Sequence, residues 1–446
     1  MELKDLLLTP FYLVLIYALA YRLRKTSTDK VTRRYFIPAL TVKIIGAISL
    51  GLIYQFYYNG GDTYNFFHSA SQIWEVYMQD PFAAIQIIFS KAGSFDSSTF
   101  QYTQGLYFYN DPASFQVVRL AAFFSLFTFN TYTVNAILFA CISFTGVWAL
   151  YTCLYDMYPG MHRRLAIACF FIPSVFFWGS GLMKDTLCIG AIGWLFYGFY
   201  QAFILKRHFR KSICLIGLGA YLLFTIKIYI LLAFLPPALF WVFNENSARI
   251  KNAGLRLLVK PFFIVIGITA AYFGGTRLTA GDQVYDINKI GARTKINAEY
   301  LYNISKTDNG SYYSIGSLDG SIGSMLIVAP QAINVALFRP YFWEVKNLVM
   351  LLSAIEASVF LWLTIYLLFK TGLFKSIALI SLHPLISFCF IYGIILAWAV
   401  GLNSGNFGTL VRYKIPIMPF YLAGLYVMQE LTRKRKKRIF FPSQLA

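Results

Sequence analysis

The sequence predicts an all-α polytopic membrane protein. Three observations carry this: 58% of the 446 residues are hydrophobic, only 13% are charged, and the apolar residues fall in uninterrupted runs of roughly 20, the length an α-helix needs to cross a bilayer. No stretch has the charge content to keep a soluble domain dissolved, so 1–446 reads as one multi-span membrane domain. The net charge of +20 would suggest nucleic acid in a soluble chain. Here most basic residues stand in short gaps between apolar runs, where they set topology, and no nucleic-acid partner is expected.

In chain order the apolar runs cover 6–21, 35–57, 132–155, 165–183, 186–205, 212–226, 228–243, 258–276, 347–369, 376–400 and 411–430, about eleven spans. The first ends in Ala18-Leu19-Ala20 in the manner of a signal peptide. Arg22, Arg24 and Lys25 follow at once and oppose export, so it is read as a retained span. A piece at 117–129 is too short to cross unaided and reads as interfacial or re-entrant. Residues 212–243 are either one long helix containing Lys227 or two short ones hinged there. With the hinge, the basic gaps (Arg22 to Arg34, Arg163 and Arg164, Lys206 to Lys211, Arg249 to Arg256, Lys370 and Lys375) share the cytoplasmic side with the tail Arg433 to Arg438. Without it the basic tail lands outside. The hinge is therefore expected, with the N-terminus outside, the C-terminus cytoplasmic and Lys227 at the outer tip of a hairpin.

Two long loops, 58–116 and 277–346, then fall on the outer face. In the first, Ile73, Trp74, Val76 and Tyr77 form the apolar side of an interfacial helix, and Pro81 opens a second, 82–89. In the second, a Gly/Ser/Asn-rich part at 303–324 is expected to be mobile, and 326–338 to form another interfacial helix. The basic tail anchors the last span and touches anionic membrane lipid. The six cysteines lie inside apolar segments, with no metal-ligand spacing, and read as small buried hydrophobes.

On this topology the polar residues hardest to explain as solvated surface gather at the outer ends of the spans. Asp62 follows the second span in Asn59-Gly60-Gly61-Asp62-Thr63-Tyr64. Trp178 to Asp185 joins two spans and ends in Lys184-Asp185. Lys227 tips the hairpin, Phe338-Arg339-Pro340-Tyr341-Phe342-Trp343-Glu344 leads into another span, and Asn403-Ser404-Gly405-Asn406 with Arg412-Tyr413-Lys414 opens the last. Lys184, Lys227, Arg339, Arg412 and Lys414 together suggest an anionic ligand, phosphate above all. The alternative for each is a charge snorkelling to the head groups, and it is weaker for Lys184 and Lys227, which stand between long apolar runs with almost no loop around them. Asp185 has a simple alternative, pairing with Lys184 at a helix N-terminus.

Asp62 also has two readings. After two glycines it suits a cap on a helix beginning near Tyr64, or else it is a general base or metal ligand facing the ligand held by the cations. His68 stands in the same loop as a possible assistant. Tyr57, Tyr58, Tyr64, Trp178, Tyr341 and Trp343 offer flat faces to sugar rings, although bilayer interfaces are rich in such residues anyway.

An acid delivered by a span into the first large outer loop, with interfacial helices after it, many further spans and cations near the outer face, resembles the GT-C glycosyltransferases. These membrane enzymes take a sugar from a polyprenyl-phosphate donor. The resemblance rests on the architecture and on Gly60-Gly61-Asp62-Thr63-Tyr64. It implies that Asp62 is the base or a metal ligand, leaving a divalent metal as an open option. It further implies that Lys184, Lys227, Arg339 or Arg412 holds the lipid phosphate, that a glycan, lipid or protein accepts the sugar, and that the protein resides in a bacterial inner membrane. The chain departs from the family in placing the acid after the second span, in lacking a second acid beside it and in ending without a soluble domain; Asp80, Asp96 and Asp111 are the later acids of the same loop. Two rival classes are an O-antigen-type polymerase or ligase and a non-enzymatic lipid-glycan transporter or flippase, the latter fitting the breaks at Pro236-Pro237 and His383-Pro384.

Overall fold

The computed structural model describes residues 3–247, 290–307, 311–316 and 318–440. Among them every regular element is helical, joined only by one isolated bridge between Tyr312 and Asn406. The expected span at 258–276, the basic gap Arg249 to Arg256 and the start of the second long loop lie outside these residues. Among the described residues seven helices are long and apolar enough to cross a membrane, so the chain is an all-α membrane protein. The chain divides into two compact units, Met1–Gly198 with Phe209–Lys227, and Phe199–His208 with Ile228–Ala446.

The first unit begins with α1 (Leu3–Ser27) and α2 (Arg33–Phe56). The first long loop then folds into α3 (Asp62–Gln79), α4 (Pro81–Phe89), α5 (Phe100–Thr103) and α6 (Pro112–Thr128). Asp80 and Asp111 start α4 and α6 by accepting backbone N–H groups of Ala83 and Ala113 at 3.0 and 3.1 Å, each with proline in the first turn. Helix α7 (Tyr132–Met157) packs along α2, and its N-terminus is capped by a distant residue: the buried Asp5 carboxylate accepts the Thr133 N–H at 2.8 Å.

The expected span at 165–183 is not one helix. Phe171 and Ile172, ahead of Pro173, split it into α8 (His162–Phe170) and α9 (Pro173–Trp178), and a non-helical turn at 179–183 leads into α10 (Lys184–Phe199). Proline cannot continue the α8 ladder, which is why an apolar run of span length breaks here. Helices α7 and α10 approach backbone to backbone through small residues. A Cβ built on Gly193 would lie 2.1 Å from the Gly146 carbonyl oxygen. Helix α11 (Phe209–Ser247) leaves helical dihedrals at Lys227 (φ −148°, ψ 77°), where the charge pattern places its hinge, whereas Pro236 and Pro237 lie within helix.

In the second unit, α10 runs on into a π-helical turn, Tyr200–Ile204. Beyond α12 (Ile290–Thr307), α13 (Ile322–Ile327) and α14 (Ala329–Phe338) come α15 (Leu348–Thr371), α16 (Leu373–Leu382), α17 (Pro384–Asn403), α18 (Phe407–Tyr413) and α19 (Met418–Phe440). The run 376–400 is divided at His383-Pro384, and the last run at 414–417. Helix α17 is the hub, packed on α14 and α19, with Phe388, Tyr392 and Phe420 in ring contact at 5.1–5.8 Å. The polar stretch expected to be mobile is pinned in part. Tyr313 is buried and donates its N–H to Gly405 at 3.1 Å, while Ser311 accepts from Phe407 at 2.8 Å. Among the described residues of the run, Tyr313, Ile315 and Leu318 are the buried apolar ones.

The close approach of α7 and α10 gives a direct test. Gly193→Leu should cost at least the roughly 1–3 kcal/mol of overpacking, because backbone and not a flexible side chain must move. Size-exclusion profiles in detergent should show loss of the monodisperse peak.

Candidate functional site

The first unit gathers the sequence-predicted groups around the last two turns of α2. Asn59, Gly60 and Gly61 all have positive φ (56°, 126° and 119°), which turns the chain sharply off α2 into α3. Gly61 takes the N-cap position and Asp62 is the first residue of α3, so the carboxylate stands in the first turn and does not itself occupy the cap position. A negative group there is favoured by the helix dipole. Tyr54 connects this turn with the other predicted loop: a Cβ on Gly61 would lie 2.9 Å from its ring, and the same ring meets Trp178 edge-on at 6.4 Å. Gly181 lies against Leu50. The Trp178–Asp185 segment therefore runs beside the turns from which Asp62 departs.

Tyr64 is partly structural. Its hydroxyl lies 3.2 Å from the Gly51 carbonyl and 3.1 Å from Gln55, and its ring stacks on Tyr132 at 4.3 Å. Tyr132 in turn shares a 2.8 Å hydrogen bond with Thr63. This cluster fixes the first turn of α3 on the start of α7, and with it the position of Asp62. His68 does not join it, being exposed and about two-thirds of a turn round the helix from Asp62.

The two lysines of this unit have separate acidic partners. Lys227 and Asp185 form a buried ion pair, their side chains 7% and 2% exposed. Lys184 binds Asp111 at 3.1 Å, in a more open pair with side chains 24% and 46% exposed. The expectation that neighbours Lys184 and Asp185 simply pair thus gives way to two bonds across the fold. Of the later loop acids, Asp80 caps α4 and Asp96 binds Ser98 and Gln86 on the surface, while Asp111 alone is seen bound to a cation. Burial pushes the Asp111 carboxyl up, but the Lys184 charge and hydrogen bonds from Ser114 and Lys184 outweigh it and hold it below 3.8.

The sequence reading missed Lys43. It lies inside α2, 1% exposed, and donates to the Ser143 hydroxyl at 2.9 Å and the Gly179 carbonyl at 2.5 Å. A lone lysine within an otherwise apolar span was the available signal. Glu356, buried inside α15, and Asp5 were passed over in the same way.

In the second unit, Arg339 is held by Glu344 through both carboxylate oxygens, each 3.0 Å from Nε, and lies over the rings of Phe407, Tyr313 and Tyr341 at 5.3–5.9 Å. Glu344 also accepts the Tyr341 N–H at 2.8 Å, and Trp343, 81% exposed, stacks on Tyr341. Arg412 is half-buried in the last turn of α18. Lys414 is fully buried, its Nζ without a hydrogen-bond partner among the described residues but within the field of Glu356. A cavity of about 270 Å³, walled by Tyr302, Tyr313, Ser314 and Ser404 with Lys295 and Glu299, also belongs to this unit. Of the stretches expected at the outer ends of the spans, Ser404 and Gly405 line it, and none of the cations expected to hold phosphate does.

The resemblance leaves open a divalent metal with Asp62 as a ligand. Among the described residues no three His, Cys, Asp or Glu side chains come together, and Asp111 and Asp185 are each bound to a lysine. Comparison with known proteins adds no identity: no family model, curated protein or solved structure matches the chain. The class that fold and composition define is that of an integral, all-α membrane protein.

Two outcomes follow from the ion pairs. Lys227→Met leaves Asp185 buried without its cation and should cost about 3–5 kcal/mol, whereas adding Asp185→Leu should recover most of it, read as the detergent melting midpoint. Because the folded Asp111 carboxyl is depressed, its stabilisation is complete above the ordinary value of 3.8 and fades as pH falls through the folded value. The stability gap between wild type and Asp111→Asn should be flat at higher pH and close on acidification below that point.

Proposed function

We propose that the protein is a membrane glycosyltransferase of GT-C type, moving a sugar from a polyprenyl-phosphate donor to a glycan, lipid or protein acceptor at the extracytoplasmic face of a bacterial inner membrane. The observation that carries the reading is that Tyr54, near the end of α2, meets both Gly61, which precedes Asp62, and Trp178, which opens the segment leading to Lys184 and Asp185.

The two ion pairs suggest a division of labour. The Asp185–Lys227 pair is buried and fixes the start of α10. Lys184 faces a half-exposed carboxylate, which the phosphodiester monoanion of the donor can displace, and the ammonium then binds more strongly the dianion that forms as the polyprenyl phosphate departs. In this reading Lys184 holds the donor phosphate, and its charge opposes the negative charge that grows on that phosphate as the glycosidic bond breaks. One well-placed donor of this kind contributes on the order of 3 kcal/mol. Asp62 accepts the acceptor hydroxyl's proton, worth roughly 100- to 10,000-fold. Taken by itself, the second unit offers Arg339, held by Glu344 beside the exposed face of Trp343, as a carbohydrate-binding surface. No step is routed through a metal.

A second reading, lipid-glycan transport, draws on the buried unwound turn between α9 and α10 and on the break at Lys227, since discontinuous helices mark the substrate sites of many transporters. The deciding experiment uses purified protein and radiolabelled polyprenyl-phosphate sugars. Wild type should transfer label, and Asp62→Asn should lose at least about 100-fold while remaining folded and inserted. Retained turnover in Asp62→Asn would remove Asp62 from the chemistry, and label crossing liposomes without transfer would favour transport.

A further inference from the structure

We propose that Lys43 is a positioning residue that holds the buried turn 179–183 in place and thereby presents Lys184 and Asp185. The effect on sugar transfer rests on the proposed function, but the structural role does not.

The argument starts from cost. An ammonium group inside a membrane span is expensive unless internal partners replace water. So is non-helical backbone at that depth, which is tolerated only where protein or a polar cavity satisfies it. The structure solves both with one closed set of bonds: Lys43 donates to Ser143 and to Gly179, and Ser143 donates to the same Gly179 oxygen at 2.9 Å. Gly179 is the C-cap of α9, so the lysine sits at the negative end of that helix. Residues 178–183 are all buried, and the chain resumes after residue 183 as α10, with Lys184 and Asp185 in its first turn. The turn carries little regular backbone bonding of its own. Within it Thr186 reaches back to the Gly181 carbonyl at 2.6 Å, while the α9 end is held by the Lys43 and Ser143 groups. Bulk alone does not account for a lysine here, because methionine would fill a similar volume at no desolvation cost.

The test is thiol accessibility. Cys214 is exposed and Cys141 partly so, while Cys153 is buried on α7 beyond Ser143. In a Cys141→Ser, Cys214→Ser, Leu182→Cys background, a small maleimide should react slowly with the introduced thiol. Adding Lys43→Met should raise that rate by roughly 10- to 100-fold, the loss of a charge-assisted bond expressed as an opening equilibrium. Labelling of Cys153 should stay unchanged, and Lys43→Arg should fall between the two. A rate at position 182 that Lys43→Met leaves unchanged, or one that rises together with Cys153, overturns the proposal. Should Lys43→Met not fold, Ser143→Ala removes one arm of the set and must give a smaller local rise. These readings need no turnover, so a wild type that transfers no sugar counts against the proposed function alone.

Discussion

Every polar group placed within a membrane span must find its partner inside the protein, and this constraint orders the first unit. Lys43 answers the free carbonyl of Gly179, Asp5 answers the free N–H of Thr133, and Lys227 answers Asp185. Each bond joins residues far apart in sequence, so together they tie α1, α2, α7, the α9–α10 turn and α11. A helix bundle in lipid gains little from apolar contact between helices, since lipid tails compete equally well for apolar surface. The close approach of glycine-bearing α7 and α10 and these buried polar bonds therefore do much of the specifying.

The buried ion pair also says something about purpose. Replacing such a pair with apolar residues of similar volume is commonly neutral or favourable for stability, so stability is a weak reason for its presence. Asp185 and Lys227 mark the start of α10 and the break in α11, both departures from regular helix. Beside them, Lys184 and Asp111 form a second pair that remains partly open to solvent. A rigid buried pair next to a displaceable one is a sensible arrangement for an anion site: the first sets geometry and the second gives way.

In the second unit the same economy appears around Arg339. Its guanidinium is bound by Glu344 through Nε and Nη2 and lies against three aromatic rings, which makes it a fixed element and not a mobile surface charge. The pinned strand-like contact of Ser311, Tyr312 and Tyr313 with Gly405, Asn406 and Phe407 supplies two of those rings, Tyr313 and Phe407. A polar segment of this composition would otherwise lack the buried apolar area to order itself.

The sequence by itself determined the class of fold. Runs of apolar residues at membrane length can only become helices in lipid, and the turn at Asn59-Gly60-Gly61 and the break at Lys227 were legible because glycine and an isolated charge interrupt those runs. It also identified Asp62, Lys184, Asp185, Lys227, Arg339 and Glu344 as polar groups needing an explanation. Only the tertiary structure decided who answers whom. Lys184 reaches Asp111 and not simply its neighbour, Tyr64 binds α2, His68 turns away, and Lys43 closes the α9–α10 turn. Such pairings depend on which helix faces meet, and helix packing is set by contacts between residues separated by tens to more than a hundred positions. No local pattern encodes them.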